Sequence, residues 1–111
     1  MSSNIMISVV IPCYNMELYA KRCYDSLVKQ KNSENVEFIF INDGSKDSTL
    51  RILEEVTAND SRVKIIDQAN SGVSAARNRG LEAAEGDYVF LVDGDDYLPD
   101  DTIDSLLQVI D

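Results

Sequence analysis

The chain has 111 residues, with 20 Asp and Glu against 10 Lys and Arg, and therefore a net charge of −10. That length holds one domain or part of one, and 44% hydrophobic with 27% charged residues is ordinary for a globular chain that can bury a core. The acidic balance sets nucleic acid aside as a partner, because phosphate binding needs a basic face; no segment nears the ~20 apolar residues of a membrane span, and M-S-S-N-I-M is no signal peptide.

Ile5 to Ile11 is an apolar, β-branched run, which predicts a strand stopped by Pro12 and a loop at Cys13 to Asn15. In Glu17 to Gln30, Ala20, Cys23, Tyr24, Leu27 and Val28 recur at helical spacing. After a polar turn at Asn32 to Asn35, Val36 to Ile41 runs without alternation, as a strand covered on both faces does. Asn42-Asp43-Gly44-Ser45 closes it. Leu50, Ile52, Leu53 and Val56 predict a helix capped by Asp47 or Ser48 and ended at Asn59-Asp60. Val63 to Ile66 reads as a third strand. Ser71 to Glu85, with Val73, Ala76, Leu81 and Ala84, reads as a helix weakened by Gly80 and ended by Gly86. Tyr88 to Val92 is the fourth strand, and Pro99 opens a helix carrying Ile103, Leu106, Leu107 and Ile110 on one face. The last residues carry no C-cap, which suggests a chain cut from something longer.

The alternation of strand and helix implies an α/β fold: a Rossmann-like, mostly parallel sheet with helices on both faces, joined by right-handed crossovers. In such a sheet ligands bind beyond the carboxyl ends of the strands. The loops there are Pro12-Cys13-Tyr14-Asn15, Asn42-Asp43-Gly44-Ser45, Asn70-Ser71-Gly72-Val73-Ser74 and Asp93-Gly94-Asp95-Asp96. Tyr14 could stack a flat ring or pack over the sheet end. Asp43 could accept from a base N–H or a sugar hydroxyl, or form an ordinary turn. Ser71 to Ser74 opens a helix that attracts anions, with Arg77 one turn on; capping with a surface arginine is the plain alternative.

All ten basic residues lie at or before Arg79, while positions 80 to 111 hold ten acids. Three of these crowd into Asp93, Asp95 and Asp96, which either face water or gather a hard divalent cation. Other chemistries fall away. The P-loop and dinucleotide fingerprints are absent, and there is no histidine for a triad. The two cysteines, Cys13 and Cys23, are too few for a zinc site, and an EF-hand loop begun at Asp93 would need glycine at Leu98. Two thiols without a secretion signal read as free cysteines in a reducing, cytoplasmic setting.

Four ordered stretches together carry a specific resemblance: S-V-V-I-P-C-Y-N at 8 to 15, F-I-N-D-G-S-K-D-S-T at 40 to 49, N-S-G-V-S-A-A-R-N-R-G at 70 to 80, and G-D-Y-V-F-L-V-D-G-D-D at 86 to 96. The chain resembles family 2 of the nucleotide-sugar-dependent glycosyltransferases, with the A-type glycosyltransferase fold. That resemblance implies a nucleoside-diphosphate sugar, usually of uridine, with Mn²⁺ or Mg²⁺ on its diphosphate. It places Pro12 and Tyr14 beside the base, Asp43 in a hydrogen bond to it, and Arg77 near the nucleotide with Gly72 and Ser74. It gives Asp93 to the ribose or the metal, Asp95 to the metal, and Asp96 to a second metal contact. The chemistry it implies is inverting, with a general base on an acceptor hydroxyl.

The family places that base and the acceptor site in a further segment, so no residue here is assigned as the base. Residues 1–111 are then expected to be the nucleotide-sugar-binding half of a domain that transfers little sugar alone. An unpaired apolar edge predicts self-association. The full-length enzyme would use a saccharide or lipid-linked acceptor, in polysaccharide synthesis, with peripheral attachment to the inner membrane face left open. A non-catalytic nucleotide-sugar binding module is the main alternative. A dehalogenase-like phosphatase would want Thr or Val at Tyr97, and a receiver-like domain a lysine beyond Lys64.

Overall fold

A computed structural model describes residues 6–30, 35–93 and 103. Four strands, β1 (Ile7–Cys13), β2 (Val36–Asp43), β3 (Val63–Gln68) and β4 (Tyr88–Leu91), alternate with helices α1 (Ala20–Val28), α2 (Thr49–Val56) and α3 (Val73–Ala83). They form one sheet in the order β3-β2-β1-β4, parallel throughout. Every residue of β1 and β2 is buried.

The two-residue period of the strands divides the core. Val9, Ile11, Phe38 and Phe40 pack with Ala20, Cys23 and Leu27 of α1 and Leu53 of α2, while Val10, Ile39 and Ile41 turn to Ala76 of α3. Helices therefore cover both faces, as the unbroken apolar runs require. Ile103 is helical and buried, and its N–H donates to Gln30 Oε1 at 2.9 Å. The rest of the helix predicted from Pro99 lies outside the described residues, as do Asp95 and Asp96.

Four sequence expectations change. Pro12 does not stop the first strand, which pairs through Pro12 and Cys13 with Ile41 and Asn42. The Val10 carbonyl accepts from Val92 N–H at 3.0 Å, so even-numbered residues of β1 face β4, whose register ends at Val10 opposite Leu91. The N–H that proline lacks falls on that side, past the last pair, so the pairing to β2 is untouched. Gly80 does not interrupt α3, and its missing side chain lets the helix approach the sheet: a Cβ there would lie 2.3 Å from Val10 Cγ1. Gly86 does not cap α3, which ends at Ala83; its own Cβ would meet Ser8 Oγ at 2.6 Å, so glycine brings the α3–β4 turn onto β1. Finally, α1 starts three residues later than the periodicity predicts, because residues 15–17 bond to another loop.

Candidate functional site

The loops after β1 and β2 are laced together. Asn15 sits at φ +48°, a left-handed conformation that Asn tolerates. There its N–H donates to Ser45 Oγ at 3.0 Å, and its Oδ1 accepts from Lys46 N–H at 2.8 Å. Met16 N–H donates to Thr49 Oγ1 at 2.8 Å. Glu17 N–H donates to Asp47 Oδ2, and Ser48 N–H returns a bond to Glu17 Oε2, both at 3.2 Å. Ser48 occupies the N-cap position of α2 without a side-chain bond, while Asp47 Oδ1 accepts from Thr49 N–H at 2.9 Å.

Asp43 ties in the third loop. Its Oδ1 accepts from Gln68 Nε2 at 3.0 Å and Ser71 N–H at 2.8 Å, its Oδ2 accepts from Gly72 N–H at 3.0 Å, and its carbonyl accepts from Asn70 Nδ2 at 3.1 Å. The residue is 4% exposed. Burial presses the carboxyl towards its neutral form, but the bonds from Gln68, Ser71 and Gly72 outweigh burial and hold the pKa below the usual range. Gly44, at φ +68°, lets Asn70 come this close, since a Cβ there would lie 2.5 Å from Asn70 N.

These loops enclose a cavity of about 220 Å³ lined by Pro12, Cys13, Tyr14, Asp43, Asn70, Gly72, Val73 and Ala76. A second, of about 330 Å³, adjoins it and shares Pro12, Tyr14 and Val73, adding Asn15, Met16, Tyr19 and Asp93. Tyr14, 46% exposed, lines both. Cys13 touches the first cavity, but its side chain follows Val9 and Ile11 into the core under α1, where burial, reinforced by Cys23, pushes the thiol pKa far up and leaves it neutral. Arg77 Nη2 pairs with Asp93 Oδ1 at 3.3 Å, with both side chains partly open to solvent.

Of the residues singled out in the sequence, Pro12, Tyr14, Asp43 and Gly72 thus meet at one cavity. Asp93 and Arg77 come together beside the next, whereas Ser74 is exposed and lines neither. Asn70 and Gln68 were missed as side chains. Asn70 lay inside a loop already marked as a ligand edge, but nothing in the sequence showed that Gln68 reaches Asp43.

Residues 8–111 match the family described as glycosyl transferase family 2. The chain belongs to that family. The uncharacterized glycosyltransferase EpsJ of Bacillus subtilis is 44% identical over 93 residues, covering 84% of this chain and 27% of EpsJ. Glycosyltransferase GlyA of Streptococcus pneumoniae is 41% identical over 104 residues, covering 94% of this chain and 15% of GlyA. In structure the chain superposes on S. aureus TarS in complex with UDP-GlcNAc at a TM-score of 0.88 and 35% identity, over 96% of this chain and 31% of TarS. The family 2 chain thus spans about a quarter of EpsJ and a third of that TarS chain, and its α/β sheet is that of the A-type glycosyltransferases.

Proposed function

We propose that this chain is the donor-binding part of a glycosyltransferase, holding a UDP-linked sugar across the carboxyl ends of β1 to β4 for transfer to an acceptor hydroxyl. The convergence of Pro12, Tyr14, Asp43 and Gly72 on one cavity, with Arg77 and Asp93 paired at the next, carries the reading. The UDP-GlcNAc complex of TarS supports the donor class.

An ionised Asp43 can only accept. Its Oδ1 takes two N–H groups and its Oδ2 one, so Oδ2 keeps the greater spare accepting capacity in a residue that lines the cavity. That suits the ring N–H on the pairing edge of uracil, which guanine shares, whereas the corresponding ring nitrogen of cytosine or adenine carries a lone pair and only the exocyclic amine donates. The Tyr14 ring supplies an apolar face for the base. Gly72 opens α3, whose free N–H groups favour negative charge, and Arg77 adds a fixed positive charge near the diphosphate, with Ser74 beside it.

A divalent ion fits this donor set. The exposed Asp93 carboxylate offers hard oxygens and is held by Arg77. With Asp95 and Asp96, outside the described residues, it would hold Mn²⁺ or Mg²⁺, which supplies neutralising charge at the diphosphate. The inverting step needs a base and an acceptor site, and we assign neither role to a residue of this chain, which in this reading binds donor without efficient transfer. The acceptor in this reading is a saccharide or lipid-linked saccharide, the latter presented at the inner membrane face.

Thermal stability with UDP, GDP or ADP, each with Mn²⁺ or with EDTA, tests the reading. A ligand at about 100 times its Kd adds ~2.7 kcal/mol. The expected result is a shift with UDP and Mn²⁺ that Asp95→Ala abolishes. No shift with any nucleotide at millimolar concentration would sink the proposal.

A further inference from the structure

At the pole of the sheet opposite the site lies a buried charge that the proposed chemistry does not use. Glu37, the second residue of β2, is 4% exposed and stands directly across from Ser8 of β1. It is six residues from Asp43, ~20 Å at ~3.3 Å per strand residue, too far to touch a ligand. Ser8 Oγ donates to Glu37 Oε2 at 2.5 Å, and the Glu85 N–H donates to the same oxygen at 2.6 Å. Gly86 N–H donates to Ser8 Oγ at 2.8 Å. Lys64 of β3 pairs with Glu37 Oε1 at 2.9 Å and with Glu85 Oε1 at 2.7 Å. Burial opposes the Glu37 charge, and the bonds from Ser8, Glu85 and Lys64 outweigh it, keeping the carboxyl ionised.

A buried carboxylate is costly unless its partners are fixed. Here they include the last two residues of the turn before Asp87, which leads into β4. That strand needs fixing. It has four residues and lies at the edge of the described sheet, with Tyr88, Val89 and Leu91 all exposed, so side-chain packing specifies its register weakly. Yet Asp93 stands two residues past its end. A slip of one residue would carry Asp93 ~3.3 Å along the strand and turn it to the opposite face, away from Arg77.

We infer that Ser8 and Glu37 are positioning residues: they lock the turn at Glu85 and Gly86, set the register of β4 on β1, and so place the Asp93 carboxylate at the site from the far end of the sheet. Gly86 belongs to the lock, because only a residue without Cβ lets its N–H reach Ser8. The functional part rests on the nucleotide-and-metal reading above; the register lock itself does not.

The test is amide hydrogen exchange on the whole 111-residue chain, with calorimetry of UDP in Mn²⁺ and in EDTA. In Ser8→Ala, the Val92 N–H, bonded to β1, is expected to exchange at least tenfold faster, while the Phe38 N–H, bonded from β2 to Arg62, stays within twofold. UDP affinity in Mn²⁺ should fall about tenfold, and in EDTA it should not change. Glu37→Gln keeps an acceptor for Ser8 and Glu85 and should restore much of the Val92 protection, whereas Glu37→Ala should not. Equal acceleration at Val92 and Phe38 would mean that the cluster only adds stability, and would overturn the inference. If the wild-type chain binds no UDP in Mn²⁺, the functional reading fails, while the ratio of Val92 to Phe38 exchange still decides the lock.

Discussion

The loops after β1, β2 and β3 are tied to one another by their own side chains, whereas β4 is held mainly by its pairing to β1 and by the turn before it. On the first side Asn15, Asp43, Ser45, Asp47 and Thr49 all spend polar atoms on a neighbouring loop. On the second, β4 shows Val89 and Leu91 to solvent, and Asp93 meets Arg77 in a half-open pair. The comparison teaches a division of labour: a cradle tied by its own side chains, beside an edge whose place depends on few contacts.

The change expected to break the tied side most is Asp43→Ala. It strips acceptors from Gln68, Ser71 and Gly72 around a buried position, and should cost about 3 kcal/mol in urea unfolding together with all nucleotide response. A loss under 1 kcal/mol would show that the turn stands without its clamp. Gly80→Ala comes next. It gains about 1 kcal/mol of helix propensity but forces a methyl onto Val10, so a net loss of about 1 to 2 kcal/mol is expected from the unfolding midpoint.

Acid should loosen the fold wherever depressed carboxylates hold it. Asp43 and Asp47 have folded pKa values below their ordinary ones, and Asp60, bonded first by Arg62 and then by Tyr24, is lowered to about 2. A depressed carboxyl contributes stability that is complete above its unfolded pKa and disappears as pH falls through the folded one. Stability should therefore drop below about pH 4, the unfolded carboxylate range. In Asp60→Asn the drop towards pH 2 should be shallower; an unchanged slope between pH 4 and 2 would refute the assignment. The smallest effect is expected at the open edge. Leu91→Lys should move stability by no more than about 0.5 kcal/mol. It should also remove any concentration-dependent rise in mass seen by light scattering, because a charge on an edge strand resists pairing between copies.

The strands were legible because runs such as Phe38-Ile39-Phe40-Ile41 are too uniformly apolar for anything but a strand covered on both faces. The loops that form the site followed from that order. Hidden from the sequence was everything set by contact between distant segments. Gly80 and Gly86 read as a helix flaw and a helix stop, since propensity is local while the nearness of Val10 and Ser8 is not. Asp43 reads as a ligand acceptor in the sequence, which does not reveal that the same carboxylate first serves Ser71 and Gly72. Glu37 drew no notice inside an apolar strand, where one acid looks like an exposed position.

Pro12 gives the sheet its fork. The rung after Val92 N–H to Val10 would run from residue 12 back to the Val92 carbonyl, and an imino acid has no hydrogen to offer. β1 and β4 are free to part at that point, and the larger adjoining cavity opens there, with Pro12 on one side and Asp93 on the other. A zip fastener stops where a tooth is missing; here the missing tooth lies at the mouth of that cavity.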